Sequence, residues 1–315
     1  MATTGPQNQQ KHSNISLRCI HINLKHSTTA TDNFNQLTKE ANIDIAFIQE
    51  PYNYQNQVIG IPRNYKIFTS GKGRKRAAVV VVNKKIDAIL MDQLSDEDTA
   101  VIEITYGNLR FIATSIYLDI KNEISSDLHK IENIQRLAKR RGLLVAMDSN
   151  ARSTTWYDAT TNRTGRILGE FLISNRLNIA NEDSALTTFE STRGTSNVDL
   201  TVADSTMVKL FHTWQCNEQE NFSDHMYITF CIEKHKIIFH DFNYNGVKYI
   251  TREMGLQHFE KNIMKEIKNN FRIRETLDLD NTLCEILNLE SDTENVARKY
   301  QNSIVAASKK SFKVR

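Results

Sequence analysis

Short runs that are apolar at every position alternate along this chain with segments whose apolar residues recur every three or four positions. Ile15–Asn23 carries Ile15, Leu17 and Cys19 on one face and Ile20 and Ile22 on the other. That is the pattern of a strand buried between two layers. Asp32 precedes Phe34, Leu37 and Ala41 at helical spacing and reads as the cap of a helix. Residues 43–48 form the next buried strand, ended by Glu50-Pro51, because the residue before a proline is pushed away from helical backbone. Residues 77–82, 86–90, 101–105 and 109–117 read as successive strands. The last two are joined by a hairpin at Tyr106-Gly107-Asn108-Leu109.

Leu128, Ile131, Ile134 and Leu137 mark a helix closing in Lys139-Arg140-Arg141-Gly142, the basic residues and glycine that a helix C-terminus favours. Residues 143–147 make a strand that runs into Asp148-Ser149-Asn150. A helix opened by Thr164 follows, with Ile167, Leu168, Phe171 and Leu172 on its stripe, and then strands at 177–180, 197–202, 208–216 and 226–232. Many strands, few helices and several hairpins indicate a mixed sandwich with helices outside. From His235 the texture changes to helical patterns at 252–270, 281–289 and 294–311. Phe259, Ile263 and Ile267 form one stripe there, and Val296, Tyr300 and Ile304 another. The organisation expected is a flexible polar tail (1–14), a main domain (15–234) and a small helical appendage (235–315).

Composition narrows the class without naming a function. The 315 residues are 40% hydrophobic and 24% charged, ordinary for a chain that buries a core. Cys19, Cys216, Cys231 and Cys284 are scattered with no Cys-x-x-Cys pair, which excludes a zinc ribbon and a small disulfide scaffold and fits a reducing, intracellular compartment. No stretch approaches the ~20 apolar residues of a membrane helix, and the polar start lacks the apolar core of a secretory signal. The expectation is an intracellular protein without a membrane partner. Net charge is +3, and the first 234 residues hold as many acidic as basic side chains, so charge alone does not mark a nucleic-acid binder.

The informative feature is where polar residues end the strands. Asn23 closes the first and Glu50 the second, Tyr117 the long one, and Asp148 and Asn150 another. Asp199 lies in Ser196-Asn197-Val198-Asp199-Leu200, and Ser223-Asp224-His225 precedes the last strand. Any one of these is an ordinary turn residue; several in this order converge on one pocket if the strand ends face the same way. In this order Asn23, Gln49-Glu50-Pro51, Ile116-Tyr117, Met147-Asp148-Ser149-Asn150, Val198-Asp199-Leu200 and Ser223-Asp224-His225 resemble the endonuclease/exonuclease/phosphatase superfamily, over about residues 15–233. Within it the chain is most similar to the apurinic/apyrimidinic-type endonuclease domain of non-LTR (LINE-type) retrotransposons. The likeness there runs through Asn150-Ala151 with Trp156, Gly165–Phe171 (165–171), Thr187-Thr188-Phe189 and residues 196–201. Asp119 stands where the family commonly has a proline, and Met147 where it often has a glycine; both departures bear on loop shape.

The resemblance implies an α+β fold, a four-layer α/β/β/α sandwich, and a Mg²⁺-dependent DNA endonuclease with Mn²⁺ as a possible substitute. Its nick would leave a 3′-hydroxyl for target-primed reverse transcription. It implies Asn23 and Glu50 at the metal, Asp148 as base, Asn150 positioning water or phosphate, Asp199 orienting His225, and His225 and Tyr117 on the phosphate. Asp224 would support the metal or the developing charge. The residue types suit the chemistry: Mg²⁺ takes oxygen ligands and only one or two carboxylates, and an imidazolium beside a carboxylate can donate to a phosphoryl oxygen. Implied partners are double-stranded DNA and the reverse-transcriptase domain of a parent element, in the nucleus. Residues 235–315 would then be the connector before that domain, and the chain a fragment or truncated copy. An apurinic-site repair nuclease, a phosphatase of the same scaffold and an inactive DNA-binding remnant are the alternatives. Two further features carry two readings each. Trp156 either stacks on a base or packs inside, and Lys72-Gly73-Arg74-Lys75-Arg76 is a solvated loop or a contact to the DNA backbone.

Overall fold

The computed structural model describes residues 15–234, apart from 139, 140, 218 and 220, together with 249–250, 262–263, 265–267, 269, 299, 302–304, 306–307, 310 and 313–314. The chain divides into two units after Lys236. In the first half of unit one the elements are β1 (Ile15–Asn23), α1 (Thr28–Glu40), β2 (Ile45–Gln49), the short pair β3 (Asn53–Tyr54) and β4 (Gln57–Val58), β5 (Lys66–Phe68), β6 (Ala77–Val81), β7 (Asp87–Leu90), β8 (Thr99–Tyr106) and β9 (Leu109–Tyr117). There follow α2 (Ile124–Ala138), β10 (Leu143–Asp148), α3 (Arg163–Ser174), β11 (Asn178–Ile179), the hairpin β12 (Phe189–Ser191) and β13 (Gly194–Ser196), β14 (Asp199–Ala203), β15 (Phe211–Asn217) and β16 (Tyr227–Lys234).

Two six-stranded sheets result, in the orders β15-β16-β1-β2-β6-β5 and β11-β14-β10-β9-β8-β7. Each has a single parallel pair, β1 with β2 and β9 with β10, crossed over by α1 and α2; the other neighbours run antiparallel. A parallel pair needs such a crossover, and it places the C-terminal ends of both its strands on the same edge of the sheet.

Three apolar layers hold this together. Leu17, Cys19, Phe47, Val79, Ile102, Phe111, Ala146 and Phe230 fill the space between the sheets. Ile20, Ile22, Ala46, Ile48 and Val80 turn the other way, against Phe34 and Leu37 of α1. Val145, Met147 and Ile112 pack against Ile131 and Ile134 of α2 and Leu168 and Leu172 of α3. The central strands therefore bury both faces, as their doubly apolar pattern demands, and the layers are α/β/β/α.

Several details differ from the sequence expectation. The cap of α1 is Ser27, whose side chain accepts from the Ala30 N–H at 3.1 Å, and Asp32 lies inside the helix. The helix after residue 160 is capped by Asn162, whose Oδ1 accepts from the Gly165 N–H at 2.7 Å, and Thr164 is already helical. In both cases the apolar stripe marks which face is buried and not where the helix starts. Residues 208–210 form a single 3-10 turn before β15, and the short strands β3, β4, β5, β12 and β13 had no apolar run to announce them.

In the second unit, Tyr249–Ile250 pairs antiparallel with Lys313–Val314. Ile263 and Ile267 are buried on a helical stretch. On the last helical stretch Ser303 and Ala307 are buried, while Ile304, expected on the apolar stripe, is 36% exposed. The tail 1–14, the helix expected at 281–289, and Phe259, Val296 and Tyr300 lie outside the described residues.

Candidate active site

Because β1, β2, β9 and β10 are the parallel strands, their last residues gather at one edge. β1 ends in Asn23, whose buried amide donates from Nδ2 to Asp148 Oδ2 at 2.8 Å, tying the end of one sheet to the end of the other. Gln49 ties them again from inside, donating to Ser115 Oγ at 3.0 Å and to the Ala146 carbonyl at 3.2 Å. β14 runs antiparallel to β10 with Asp199 opposite Asp148. His225 lies just before β16, which is antiparallel to β1, and so reaches the same edge.

The three buried groups form a line. His225 Nδ1 bonds Asp199 Oδ2 at 2.8 Å, and its Nε2 stands 3.9 Å from Asp148 Oδ2. An ionised carboxylate only accepts, so Nδ1 carries the proton. The edge of His225 also meets the Phe189 ring, with centroids 4.9 Å apart. Thr188 fixes the start of β14: its Oγ1 accepts the N–H groups of Val198 and Asp199, both at 3.1 Å. Asp199 Oδ1 is buried and has no hydrogen-bond partner among the described residues.

Burial would lower the His225 pKa, but the charge and hydrogen bond of Asp199, then Asp148 and Glu50, outweigh it and push the value up to about 9. Burial drives Asp148 upward from the carboxylate range, and Asp199 adds to this while His225 and Asn23 oppose it. Burial also works to raise Glu50, yet its neighbour His26, helped by Asn23 and His225, holds it below the usual carboxylate value. Two carboxylates thus stand at one edge with their pKa values driven apart, the arrangement that divides base and electrostatic roles.

Glu50 and Asn150 have left-handed backbone, with φ of 44° and 48°. For non-glycine residues such a conformation costs of order 1–3 kcal/mol, and the surroundings impose it. The Glu50 N–H donates to the Arg76 carbonyl at 2.8 Å and its C=O accepts from the His26 N–H at 2.7 Å. The Asn150 side chain donates to the Leu118 carbonyl at 2.9 Å.

Tyr117 lies under the Arg76 guanidinium, 4.9 Å from ring centroid to Cζ. Arg76 grips Asp98 with two bonds, at 2.5 and 2.6 Å, and also bonds Asp119. Burial and the charges of Glu50, Asp148 and Asp119 push the Tyr117 phenol up to about 12, so it remains a donor. Asp224 stands apart from the buried line, its carboxylate 37% exposed and 2.6 Å from Lys25 Nζ.

The donor set fits a divalent cation. One carboxylate or imidazole atom from each of Asp148, Asp199 and His225 falls within 4.8 Å of the others, and the half-buried Glu50 carboxylate offers oxygen beside Asn23. His225 is already committed to Asp199, and a hard, hydrated ion prefers oxygen ligands with room for water. The Glu50 side suits such an ion better.

His26 gave no distinctive signal in the sequence, and Gln49 and Thr188 stood in the quoted motifs without a role; the sheet geometry reveals what they touch. The basic run is not a solvated loop throughout. Lys75 is 4% exposed with Nζ on the carbonyls of Gly71 and Gly73 at 2.6 and 2.9 Å, and Arg76 belongs to the clamp on Tyr117. Only Lys72 and Arg74 in it are exposed side chains. Trp156 is fully buried, its Nε1–H shared between the Ala151 and Asn197 carbonyls at 3.2 and 3.0 Å, so it packs and does not stack on a ligand.

A family model described as endonuclease-reverse transcriptase matches residues 111–229. Over 182 residues the chain is 23% identical to the retrovirus-related Pol polyprotein from type-1 retrotransposable element R1 of Bradysia coprophila, covering 54% of this chain and 18% of that protein. The chain spans about a fifth of the length of the curated relatives it matches. Among solved structures, the endonuclease domain of TRAS1, a telomere-specific non-LTR retrotransposon, is similar with a TM-score of 0.63 and 29% identity, over 70% of this chain and 100% of that one. An AP endonuclease, LMAP from Leishmania major, shares the fold at 12% identity and a TM-score of 0.57, over 70% of this chain and 88% of the other.

Proposed function

We propose, for a chain whose first unit is a nuclease domain of the endonuclease/exonuclease/phosphatase superfamily, a metal-dependent DNA endonuclease that nicks target DNA and leaves a 3′-hydroxyl to prime reverse transcription. The observation that carries this is the buried line Asp199–His225–Asp148, closed by Asn23 across the two sheets.

Each side chain has a task that its surroundings support. Asp148, with its raised pKa, takes a proton from a water aimed in line with the scissile phosphorus. Asn150 positions that water or the phosphate. His225, kept protonated by Asp199, donates Nε2–H to a phosphoryl oxygen, where negative charge builds up in the transition state. Tyr117 donates to the same phosphate from beneath Arg76. Asp224 stands at the rim paired with Lys25, where it can support the metal, or hold Lys25 toward the developing charge. A divalent cation at Glu50 and Asn23, Mg²⁺ or Mn²⁺ in its place, would supply charge neutralisation on the phosphoryl and leaving oxygens.

The relatives named for retrotransposable elements support a wider setting. In it the substrate is double-stranded DNA in the nucleus, residues 235–315 connect to a reverse-transcriptase domain, and this chain is one part of that longer machine. The test is nicking of supercoiled plasmid by the full chain with and without Mg²⁺, followed by polymerase extension from the nick. Extension directly from the nick supports the 3′-hydroxyl. A protein that binds DNA but never nicks it in Mg²⁺ or Mn²⁺ would be the inactive remnant, and preferential cleavage of abasic DNA or small phosphomonoesters would move it to repair or phosphatase chemistry.

A further inference from the structure

His26 is folded into the turn that presents Glu50. Its backbone N–H donates to the Glu50 carbonyl at 2.7 Å, and its ring Nδ1 lies 2.8 Å from the Pro51 carbonyl oxygen. A carbonyl oxygen can only accept, so Nδ1 carries a proton. That leaves Nε2 facing Glu50 Oε1 at 3.5 Å, with the two side chains 16% and 22% exposed. A charge-assisted N–H···O⁻ bond closes to about 2.7–2.9 Å, so the contact at 3.5 Å is a long one. With Nδ1 spent on Pro51, Nε2 is the ring nitrogen turned toward Glu50, and a cation that takes the place of a proton there meets two electron-pair donors at one point.

Such a convergence suits a cation between them. Two neighbouring ligands each about 2.1 Å from a common metal stand roughly 3 Å apart or somewhat more. The Nδ1–H···O=C bond is also the support that metal-bound histidines use to fix their tautomer and ring orientation. His225 has comparable support, its Nδ1 bonded to Asp199, but that bond uses the Asp199 carboxylate and the proposed function gives its Nε2 to the phosphate.

We propose that His26 Nε2 is a ligand of the divalent cation held at Glu50, and that this imidazole biases the site toward Mn²⁺ over Mg²⁺. The inference deepens the metal-dependent reading of the site and rests on it. Carboxylate, amide and water suit Mg²⁺ and Mn²⁺ alike, whereas an imidazole nitrogen favours transition-metal dications over a cation that demands oxygen.

The test uses the full chain loaded with Mn²⁺ and read by electron spin-echo envelope modulation, with Mn²⁺ and Mg²⁺ affinities measured by titration. The parent should show the ¹⁴N modulation of one directly bound imidazole. His26→Gln should lose that modulation and bind Mn²⁺ about 10-fold or more weakly, with a smaller loss for Mg²⁺, while His225→Ala keeps the modulation. If His26→Gln fails to fold, the parent spectrum and its persistence or loss in His225→Ala decide. Mn²⁺ bound without ¹⁴N coupling in the parent overturns the proposal and leaves the metal-dependent reading intact, making His26 only an ion-pair partner of Glu50. Modulation that survives His26→Gln and vanishes in His225→Ala also overturns it, moving the cation to the Asp148 group. A parent that binds no Mn²⁺ at millimolar concentration, and nicks equally with Glu50→Gln in place, removes the metal-dependent reading together with the ligand.

Discussion

Charge on His225 depends on two carboxylates, and activity should follow pH accordingly. Asp148 must be ionised to act as base, and its pKa is driven up by burial; the acid limb of the nicking rate should therefore lie well above the ordinary carboxylate range. His225 must be protonated to donate, so the alkaline limb should fall near its pKa of about 9. Asp199→Asn removes the charge that holds that proton and should move the alkaline limb to lower pH, which initial rates between pH 5 and 10 will read. The same shift governs stability. A pKa raised from 6.5 to about 9 in the folded state adds stability that is fully present below about pH 6.5 and is lost as pH rises through about 9. The melting-temperature gap between the parent and His225→Gln should narrow across that window. Glu50→Gln and His225→Ala should each slow nicking by ~10²-fold or more. DNA affinity should change far less, because contacts to the phosphate backbone supply most of it. A double variant that nicks at the parent rate would sink the catalytic assignment.

At the scale of elements, the loop from Asp148 to α3 carries Asn150 and is pinned where it meets the helix. The Asn162 N–H donates to the Arg152 carbonyl at 3.1 Å, and a methyl at Gly165 would sit 1.8 Å from that oxygen. Gly165→Ala must push the loop away from the helix, costing about 1–3 kcal/mol and displacing Asn150, with nicking reduced as well. One turn along, Gly169 has only the rim of Trp156, at 4.0 Å. Gly169→Ala should be tolerated or stabilise by up to ~1 kcal/mol through helix propensity. Urea unfolding of both variants checks the contrast, and a destabilised Gly169→Ala beside an unchanged Gly165→Ala would refute it.

For the whole molecule, every residue assigned to the site lies before Lys236, where the first unit ends. The three apolar layers described above also close within that unit. A protein ending at residue 236 should melt cooperatively and nick plasmid at a rate within about threefold of the full chain, as expected of a unit with its own core. Loss of the cooperative transition would show that residues 237–315 complete the fold. The polar ties through Asn23 and Gln49 join the two sheets at the site. Gln49→Leu should therefore lower nicking along with stability, by leaving the Ala146 carbonyl without its side-chain donor inside the core.

The sequence by itself determined a mixed sandwich with helices outside, because burial on two faces is written into the central strands as consecutive apolar residues. Ile15–Asn23, Leu109–Tyr117 and the hairpin between β8 and β9 were legible for that reason. It also determined which polar residues end those strands and in what order, which was enough to suggest the chemistry. Tertiary structure alone decided who touches whom. Asn23 reaches Asp148 across 125 residues of chain and His225 reaches Asp199 across 26, through sheet order and register that no local pattern encodes. His26 against Glu50, Arg76 over Tyr117, and the burial of Lys75 and Trp156 belong to the same class. Local periodicity reports how each residue meets its own layer, whereas a site is made by residues from different layers, and their distances exist only once the two sheets have packed.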